Sequence, residues 1–194
     1  MRISSKERNT NETQINLKLN LDGNGQRKIN TEFKFFNHML EQLAAHGGFD
    51  IELDAKSLDG DAHHIVEDVA ITLGQAFKEA LRDKKGINRY GSFLLPMDEA
   101  LVLSVVDISN RPFCKVDVSI KDERTSDFET VLLAHFFNSL ALNMGATIHI
   151  KMLDGIDTHH IIEACFKSFA RALSQACQIN QKFANSVPST KGVL

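Results

Sequence analysis

The sequence predicts an α+β protein made by tandem duplication, with two helices on one face of a small mixed sheet in each half. Two similar segments, beginning at His38 (HMLEQLAAHGGFDIEL) and His135 (HFFNSLALNMGATIHI), lie 97 residues apart. Two more, beginning at His63 (HHIVED) and His159 (HHIIEA), lie 96 residues apart. Stretches with an apolar period of two and stretches with helical spacing then follow in the same order in both halves.

The first half is predicted to form a β-β-α-β-α unit. Polar and apolar residues alternate over residues 13–20, which is typical of a strand. The DGNG segment at 22–25 predicts a tight turn into a second strand over residues 27–30. A helix over residues 33–45 ends at Gly47 and Gly48, and a strand over 49–55 and an amphipathic helix over 65–81 complete the unit.

The second half repeats this order. Strands are predicted over residues 101–106 and 113–120, a helix over 129–143, a strand over 147–153 and a helix over 161–176, with residues 92–95 as an additional short strand. We therefore divide the chain into a first repeat, residues 1–92, and a second repeat, residues 93–194. Composition alone predicts that the polar tail, residues 185–194, is disordered.

Composition excludes several classes of function. The 194 residues are 43% hydrophobic and carry a net charge of −3, so the chain has material for a core and no basic excess for nucleic acid. No segment approaches the roughly 18 apolar residues of a membrane helix, and the N-terminus has no apolar signal-peptide core. Cys114, Cys165 and Cys177 show no metal or redox spacing. We expect a cytoplasmic protein without nucleic-acid or membrane partners.

Histidine and glutamate recur at repeat-related positions. His63 and His64 lie four and three residues before Glu67, so either can share a helical face with it. Adjacent side chains point about 100° apart on a helix, so two adjacent histidines can hardly bind the same ion from a regular helix. Either the two histidines bind two neighbouring ions, or the helix start is irregular, and the duplication favours two ions. Three histidines and one glutamate for each divalent Mn, Fe, Zn or Ni ion are available. The candidate ligands are His38, His63, His64, Glu67, His135, His159, His160 and Glu163.

The other two histidines have no such partners. Asn143 stands at the repeat position of His46, so His46 is either a substrate-binding group or a histidine favoured by the dipole at the end of its helix. His149 lies within an alternating strand and is predicted to be structural.

The motifs together resemble those of the imidazoleglycerol-phosphate dehydratase family, in its monofunctional form, over nearly the whole chain. They are RNTNET, FFNHMLEQLAAHGGFD, HHIVEDVAITLGQAF, GINRYGS, HFFNSLA, HHIIEACFKSFARAL and PSTKGVL. The resemblance implies a tandem duplication of a four-stranded mixed sheet with two helices on one face, the ribosomal protein S5 domain 2-like fold. It also implies two divalent metal ions per site, expected to be Mn2+, and a homo-oligomer: a 24-subunit octahedral shell built from trimers, with sites between subunits.

The implied reaction is the dehydration of imidazole glycerol phosphate to imidazole acetol phosphate in histidine biosynthesis. The proton to be removed is not beside a carbonyl, so the imidazole ring has to store the electrons. A ring bound to metal through both nitrogens can become an imidazolate and expel the neighbouring hydroxyl, through a diazafulvene-like intermediate. The resemblance implies that Glu12 transfers protons, and Glu67 and Glu163 are further candidate catalytic carboxylates.

The resemblance also implies which residues bind the substrate and its phosphate. From the residues alone, Arg89 and Arg111 are solvated surface charges, and the tail is disordered. The resemblance instead places the tail over phosphate, in a neighbouring site. The implied substrate-binding residues are Glu12, Gln42, His46, Arg89, Arg111, Lys167, Ser189, Thr190 and Lys191.

Some positions depart from the family pattern. Asn37 stands where Asp is usual, and Ala62 where an acid is usual. Ile65 replaces a usual Thr, and Ala134 a usual Glu. We expect these positions to tune metal affinity and rate without changing the ligand set.

Two other functions remain open at this point. A di-metal hydrolase would use a bridging water, with Asp68 as the positioning acid, and it predicts hydrolysis of phosphate esters. A metal-storage or metal-assembled protein predicts metal-driven oligomers without turnover, although Arg89, Arg111 and Lys191 argue against it.

Overall fold

The computed structural model describes residues 1–194 and contains two sheets of four strands each, four α-helices and a small two-stranded sheet. The first half comprises β1 (Ile3–Asn9), β2 (Thr13–Asn20), β3 (Arg27–Asn30), α1 (Lys34–Gly47), β4 (Asp50–Ser57) and α2 (Ala62–Ala80). The second comprises β5 (Tyr90–Met97), β6 (Ala100–Asp107), β7 (Phe113–Asp117), β8 (Arg124–Thr125), β9 (Phe128–Glu129), α3 (Leu132–Met144), β10 (Thr147–Asp154) and α4 (Thr158–Cys177). A 3-10 turn, Gln181–Phe183, follows.

The two large sheets share one topology. Their strand orders are β1-β2-β4-β3 and β5-β6-β10-β7, and in each the last pair is parallel while the others are antiparallel. The duplicated α+β fold predicted from the sequence is therefore confirmed. The turn at residues 22–25 does not close a hairpin, because β4 lies between β2 and β3. The carboxylate of Asp50, at the start of β4, accepts the backbone N–H groups of Asn24 and Gln26 and fixes this turn.

Two strands differ from the sequence expectation. No strand is predicted at the position of β1. Only Ser4 of its seven residues is buried, and β1 lies at a sheet edge, where apolar alternation is not required. β5 is an eight-residue strand rather than the short segment 92–95. The expected boundary between residues 92 and 93 falls inside β5, which pairs along its whole length with β6.

The helices of the two halves pack against each other between the two sheets. α2 lies against α3 and α1 against α4, while α1 and α2 cover the first sheet and α3 and α4 cover the second. At the α2–α3 contact a Cβ on Gly74 would lie 2.8 Å from the carbonyl oxygen of Leu140, so the helices approach closely there. Fully buried phenylalanines from both halves fill this layer: Phe36, Phe77, Phe136, Phe137, Phe166 and Phe169.

The outer faces of the two sheets differ on one side only. The first carries exposed polar and charged residues, among them Asn16, Lys18 and Glu52. On the second, Leu94 and Val105 are 51% and 39% accessible and flank the half-buried Leu103, so an apolar patch covers β5 and β6. The β7 and β10 side of the same face carries charged side chains, Lys115, Asp117 and Lys151. An exposed apolar patch can mark a protein–protein contact.

The C-terminal tail contacts the segment between α2 and β5. The backbone N–H of Gly86 donates to the carbonyl of Ser186, and Arg89 Nη1 donates to the carbonyl of Pro188 at 2.9 Å. The predicted disorder is therefore wrong for this part of the tail, because the backbone finds partners that composition does not reveal. None of the helices combines the length and apolar character needed to cross a membrane.

Candidate metal centre

Both His-His pairs lie in the first turn of a helix. α2 and α4 begin about three residues earlier than their apolar periodicity predicts. Asp61 caps α2 by accepting the N–H of His63 at 2.8 Å, and Asp157 caps α4 by accepting the N–H of His160 at 3.1 Å. These caps fix the helix starts, so each histidine pair has helical geometry and its two rings point in different directions.

The first ligand cluster joins α2 to α3. One ligand atom from each of His63, Glu67 and His135 lies within 4.8 Å of the others. The rings of His63 and His135 have centroids 4.4 Å apart, and His135 Nε2 is 3.5 Å from Glu67 Oε1. That nitrogen is buried and has no hydrogen-bond partner. A buried nitrogen without a partner, facing a carboxylate and a second imidazole, fits a bound metal ion.

The second cluster joins α1 to α4. Glu163 Oε2 lies 3.2 Å from His38 Nε2 and 3.0 Å from His159 Nε2, and Lys167 Nζ lies 2.6 Å from Glu163 Oε1. Burial raises the pKa of Glu163, but the Lys167 ammonium and the two histidine contacts outweigh it and leave the pKa lowered. The carboxylate is therefore held in its charged form, which is the form that binds metal.

Each cluster takes two groups from one half of the chain and the third from the other half. His63 and Glu67 meet the second-half His135, and His159 and Glu163 meet the first-half His38. The reason is the packing of α2 on α3 and of α1 on α4. Neither cluster can form until the two halves have docked.

The remaining candidate ligands, His64 and His160, belong to neither cluster. His64 Nδ1 is 2.7 Å from Asp59, and its Nε2 is 3.9 Å from Glu12. His160 Nδ1 is 2.8 Å from Glu99, and its Nε2 is 3.7 Å from Asp98. Hydrogen bonds to Asp59 and to Glu99 raise the pKa of the respective histidine.

Sequence reasoning missed Asp59, Asp98 and Glu99. A signal was present, because Asp98 and Glu99 lie in the β5–β6 turn, and Glu12 precedes β2 in the corresponding β1–β2 turn. The two repeats thus place acids at the same point of the fold, beside the second histidine of each pair.

Apart from Glu12, which lies beside His64, the residues expected to bind substrate separate into two groups within the chain. Gln42 Nε2 lies 3.2 Å from His38 Nδ1, and Lys167 contacts Glu163, so both adjoin the second cluster. Burial, followed by the charges of Lys167 and Arg171, lowers the pKa of His46. This region is therefore positively charged and partly desolvated, which suits an anionic group.

The other group surrounds Arg89 at the far end of α4. Arg89 pairs with Asp107 at 2.7 Å, Arg111 Nη2 lies 3.8 Å from the same carboxyl, and the tail residues Ser189, Thr190 and Lys191 follow the Pro188 contact. The backbone N–H of Arg89 donates to Ala176, roughly 20 Å along α4 from Glu163. One chain alone does not bring these residues to either metal cluster.

Three residues that lie close to candidate ligands in the sequence, Asn37, Ile65 and Asp68, make their contacts elsewhere in the structure. Asn37 Oδ1 accepts the N–H and hydroxyl of Thr31, not a hydrogen bond from a candidate ligand. Ile65 is fully buried in the core. Asp68 is buried and bonded to Arg8 at 2.8 Å and to the Thr13 hydroxyl at 2.5 Å, so it is not free to position a hydrolytic water.

Comparison with known proteins agrees with the fold. The family model described as Imidazoleglycerol-phosphate dehydratase matches residues 31–173. The chain is 51% identical to the imidazoleglycerol-phosphate dehydratase of Acetivibrio thermocellus, covering 96% of each chain. It is 47% identical to that of a Synechococcus species, covering 100% of this chain and 96% of the relative.

Solved structures of such enzymes superpose closely. The dehydratase from Staphylococcus aureus has a TM-score of 0.84 at 39% identity, with 92% of this chain and 99% of the other covered. The Pyrococcus furiosus enzyme has a TM-score of 0.84 at 41% identity, with 97% and 100% covered. Sequence and fold therefore agree along almost the whole chain, which belongs to the imidazoleglycerol-phosphate dehydratase family.

Proposed function

We propose that the two cross-half clusters hold two divalent ions, expected to be Mn2+, with which this chain dehydrates imidazole glycerol phosphate in histidine biosynthesis. The observation that carries the metal assignment is His135 Nε2, which is buried without a hydrogen-bond partner beside His63 and Glu67. A purely structural histidine in that position would leave an unsatisfied polar atom, which is costly.

Imidazole and carboxylate donors suit divalent first-row ions, and both clusters offer them. His63, Glu67 and His135 would hold one ion, and His38, His159 and Glu163 the other. When bound, such ions lower the pKa of the substrate imidazole and fix its orientation.

Glu12 is the proposed proton-transfer group. It lies exposed in the turn between β1 and β2, with Oε1 3.9 Å from His64 Nε2. A carboxylate on a turn, not tied into an ion pair with Lys or Arg, can both accept the substrate proton and release it. Gln42, His46 and Lys167 lie beside the second cluster and supply donors and positive charge to the substrate.

The complete site requires more than one copy of the chain. His64 and His160 contact Asp59 and Glu99 and belong to neither of the two clusters. The group around Arg89, which comprises Arg89, Arg111, Ser189, Thr190 and Lys191, lies at the far end of α4. We assign these residues to sites shared with neighbouring copies, as ligands and phosphate-binding groups respectively. The apolar patch on the outer face of β5 and β6 supplies a surface for the association, and a 24-subunit shell is the assembly we expect.

The test is turnover by metal-loaded protein. Manganese-loaded wild type is expected to convert imidazole glycerol phosphate to imidazole acetol phosphate, and removal of metal with a chelator is expected to abolish this. Glu67→Gln is expected to lower both bound manganese and kcat at least tenfold, because a neutral amide binds a divalent cation weakly. Glu52→Gln, on the exposed face of the first sheet, is the matched control and should change neither quantity.

Two results would contradict the proposal. Turnover that survives complete metal removal would exclude the metal role. Unchanged manganese content in Glu67→Gln would exclude the first cluster as a binding site.

A further inference from the structure

His64 and His160 occupy equivalent places in the two repeats, yet different parts of the chain hold them. Asp59, which contacts His64 Nδ1, lies five residues earlier, in the loop that precedes α2. The repeat counterpart of Asp59 is Gly155, which has no side chain to offer. Glu99, 61 residues before His160, makes the corresponding contact from the β5–β6 turn. The contact is therefore kept although the residue that supplies it has changed.

Glu99 is itself held firmly in place. Its Oε1 accepts the backbone N–H groups of Ile156 at 3.2 Å and Asp157 at 2.7 Å, while Oε2 lies 2.8 Å from His160 Nδ1. The Glu99 carboxylate thus joins the β5–β6 turn to the start of α4.

This contact decides which ring nitrogen of His160 can bind metal. A carboxylate only accepts, so Nδ1 carries the hydrogen and the lone pair of the neutral ring is on Nε2. Nε2 lies 3.7 Å from Asp98, beyond hydrogen-bond distance, and remains available. Carboxylates that accept from the second nitrogen of a ligating imidazole orient the ring and increase its basicity.

We propose that Glu99 is a positioning residue that fixes His160 as a metal ligand, in the role that Asp59 fills for His64. This inference rests on the metal-dependent function proposed above. It adds Glu99, from the β5–β6 turn, to the proposed metal centre. It also explains how His160 is kept oriented in the second repeat, where position 155 is not an acid.

The experiment measures Mn2+ binding to chelator-stripped, full-length protein by calorimetry. Glu99→Ala is expected to weaken one class of Mn2+ site by about 10- to 100-fold. Glu99→Gln retains an oxygen that can accept from Nδ1, so it is expected to restore most of that affinity. Glu52→Ala, at an exposed position of the first sheet, is the control and should bind as wild type does.

A double-mutant cycle separates positioning from a general structural effect. In a His160→Ala background, Glu99→Ala is expected to cause no further loss of Mn2+ affinity, because the residue acts through His160. An equal loss in both backgrounds, or wild-type affinity in Glu99→Ala, would overturn the inference. If Glu99→Ala does not fold, Glu99→Asp replaces it in the cycle, since its shorter side chain withdraws the carboxylate from Nδ1.

The wild-type measurement also distinguishes the two proposals. Wild-type protein that binds no Mn2+ would refute the proposed function, and this inference with it. Wild type that binds Mn2+ and turns over while Glu99→Ala binds equally well would refute the positioning role alone.

Discussion

Single residues hold loops in this fold by accepting backbone hydrogen bonds with a carboxylate. Asp50 is an example away from the His/Glu clusters, since it fixes the turn between β2 and β3 through Asn24 and Gln26 at 2.9 and 3.0 Å, with a third bond from the Asn20 amide. The N–H of Asn24, followed by that of Gln26, lowers the pKa of Asp50 from 3.8 against the opposing effect of burial. The charged form is therefore more stable in the folded chain than in the unfolded one.

This linkage predicts a pH dependence of stability. A carboxyl with a lowered folded pKa contributes its full stabilisation above its unfolded pKa of 3.8, and the contribution is lost as pH falls through the folded value. We expect Asp50→Asn to lower the urea midpoint near pH 6 and the difference from wild type to shrink below pH 3.8. Asp54→Asn, on the exposed outer face of the same strand, is the comparison variant. A difference that grows on acidification would contradict this account.

At the scale of elements, the start of α1 depends on a segment from the other half. Phe33, the N-cap residue, makes no side-chain cap. Asp127, in the turn between β8 and β9, accepts the N–H groups of Lys34 at 2.7 Å and Phe35 at 2.9 Å. The small β8–β9 hairpin thus caps the helix that carries His38 and Gln42.

Removal of this cap should be measurable. Asp127→Ala is expected to lower the free energy of unfolding by about 0.5–2 kcal/mol, because two backbone donors of α1 lose their acceptor. The matched control is Asp117→Ala, whose exposed carboxyl pairs with Lys151 at 3.7 Å and should contribute less than about 1 kcal/mol. Urea unfolding of both variants checks the difference. Equal effects would show that the cap contributes no more than a surface ion pair.

At the scale of the whole molecule, the contrast between the outer faces of the sheets predicts which face meets another copy. Val105 lies in the apolar patch on the outer face of the second sheet, and Asn16 on the polar outer face of the first. Val105→Lys is expected to weaken self-association at least about tenfold, because an unpaired ammonium would be desolvated in the contact. Asn16→Lys should leave association unchanged. Sedimentation velocity of both variants decides, and an intact assembly in Val105→Lys would assign association to another face.

Some features follow from local sequence alone. The repeat of His-His-x-x-Glu indicated both the duplication and the identity of the clustered side chains, because helical spacing brings His63 towards Glu67 and His159 towards Glu163 wherever those helices lie. The α+β class and most element positions also follow from periodicity. β1 and the cap from Asp127 do not, since an edge strand needs no apolar pattern and the cap is 92 residues away from Phe35.

Local spacing and motifs are enough to predict the duplicated α+β fold, the family and the side chains of the two His/Glu clusters. The pairing of His135 with His63 and of His38 with His159 could not be predicted in this way, because the packing of α2 on α3 and of α1 on α4 sets it. The tertiary structure also brought Glu99 to His160 and kept Arg89 away from both clusters. Such contacts join residues that are far apart in the sequence, and the sequence around each residue does not indicate which partner it will contact.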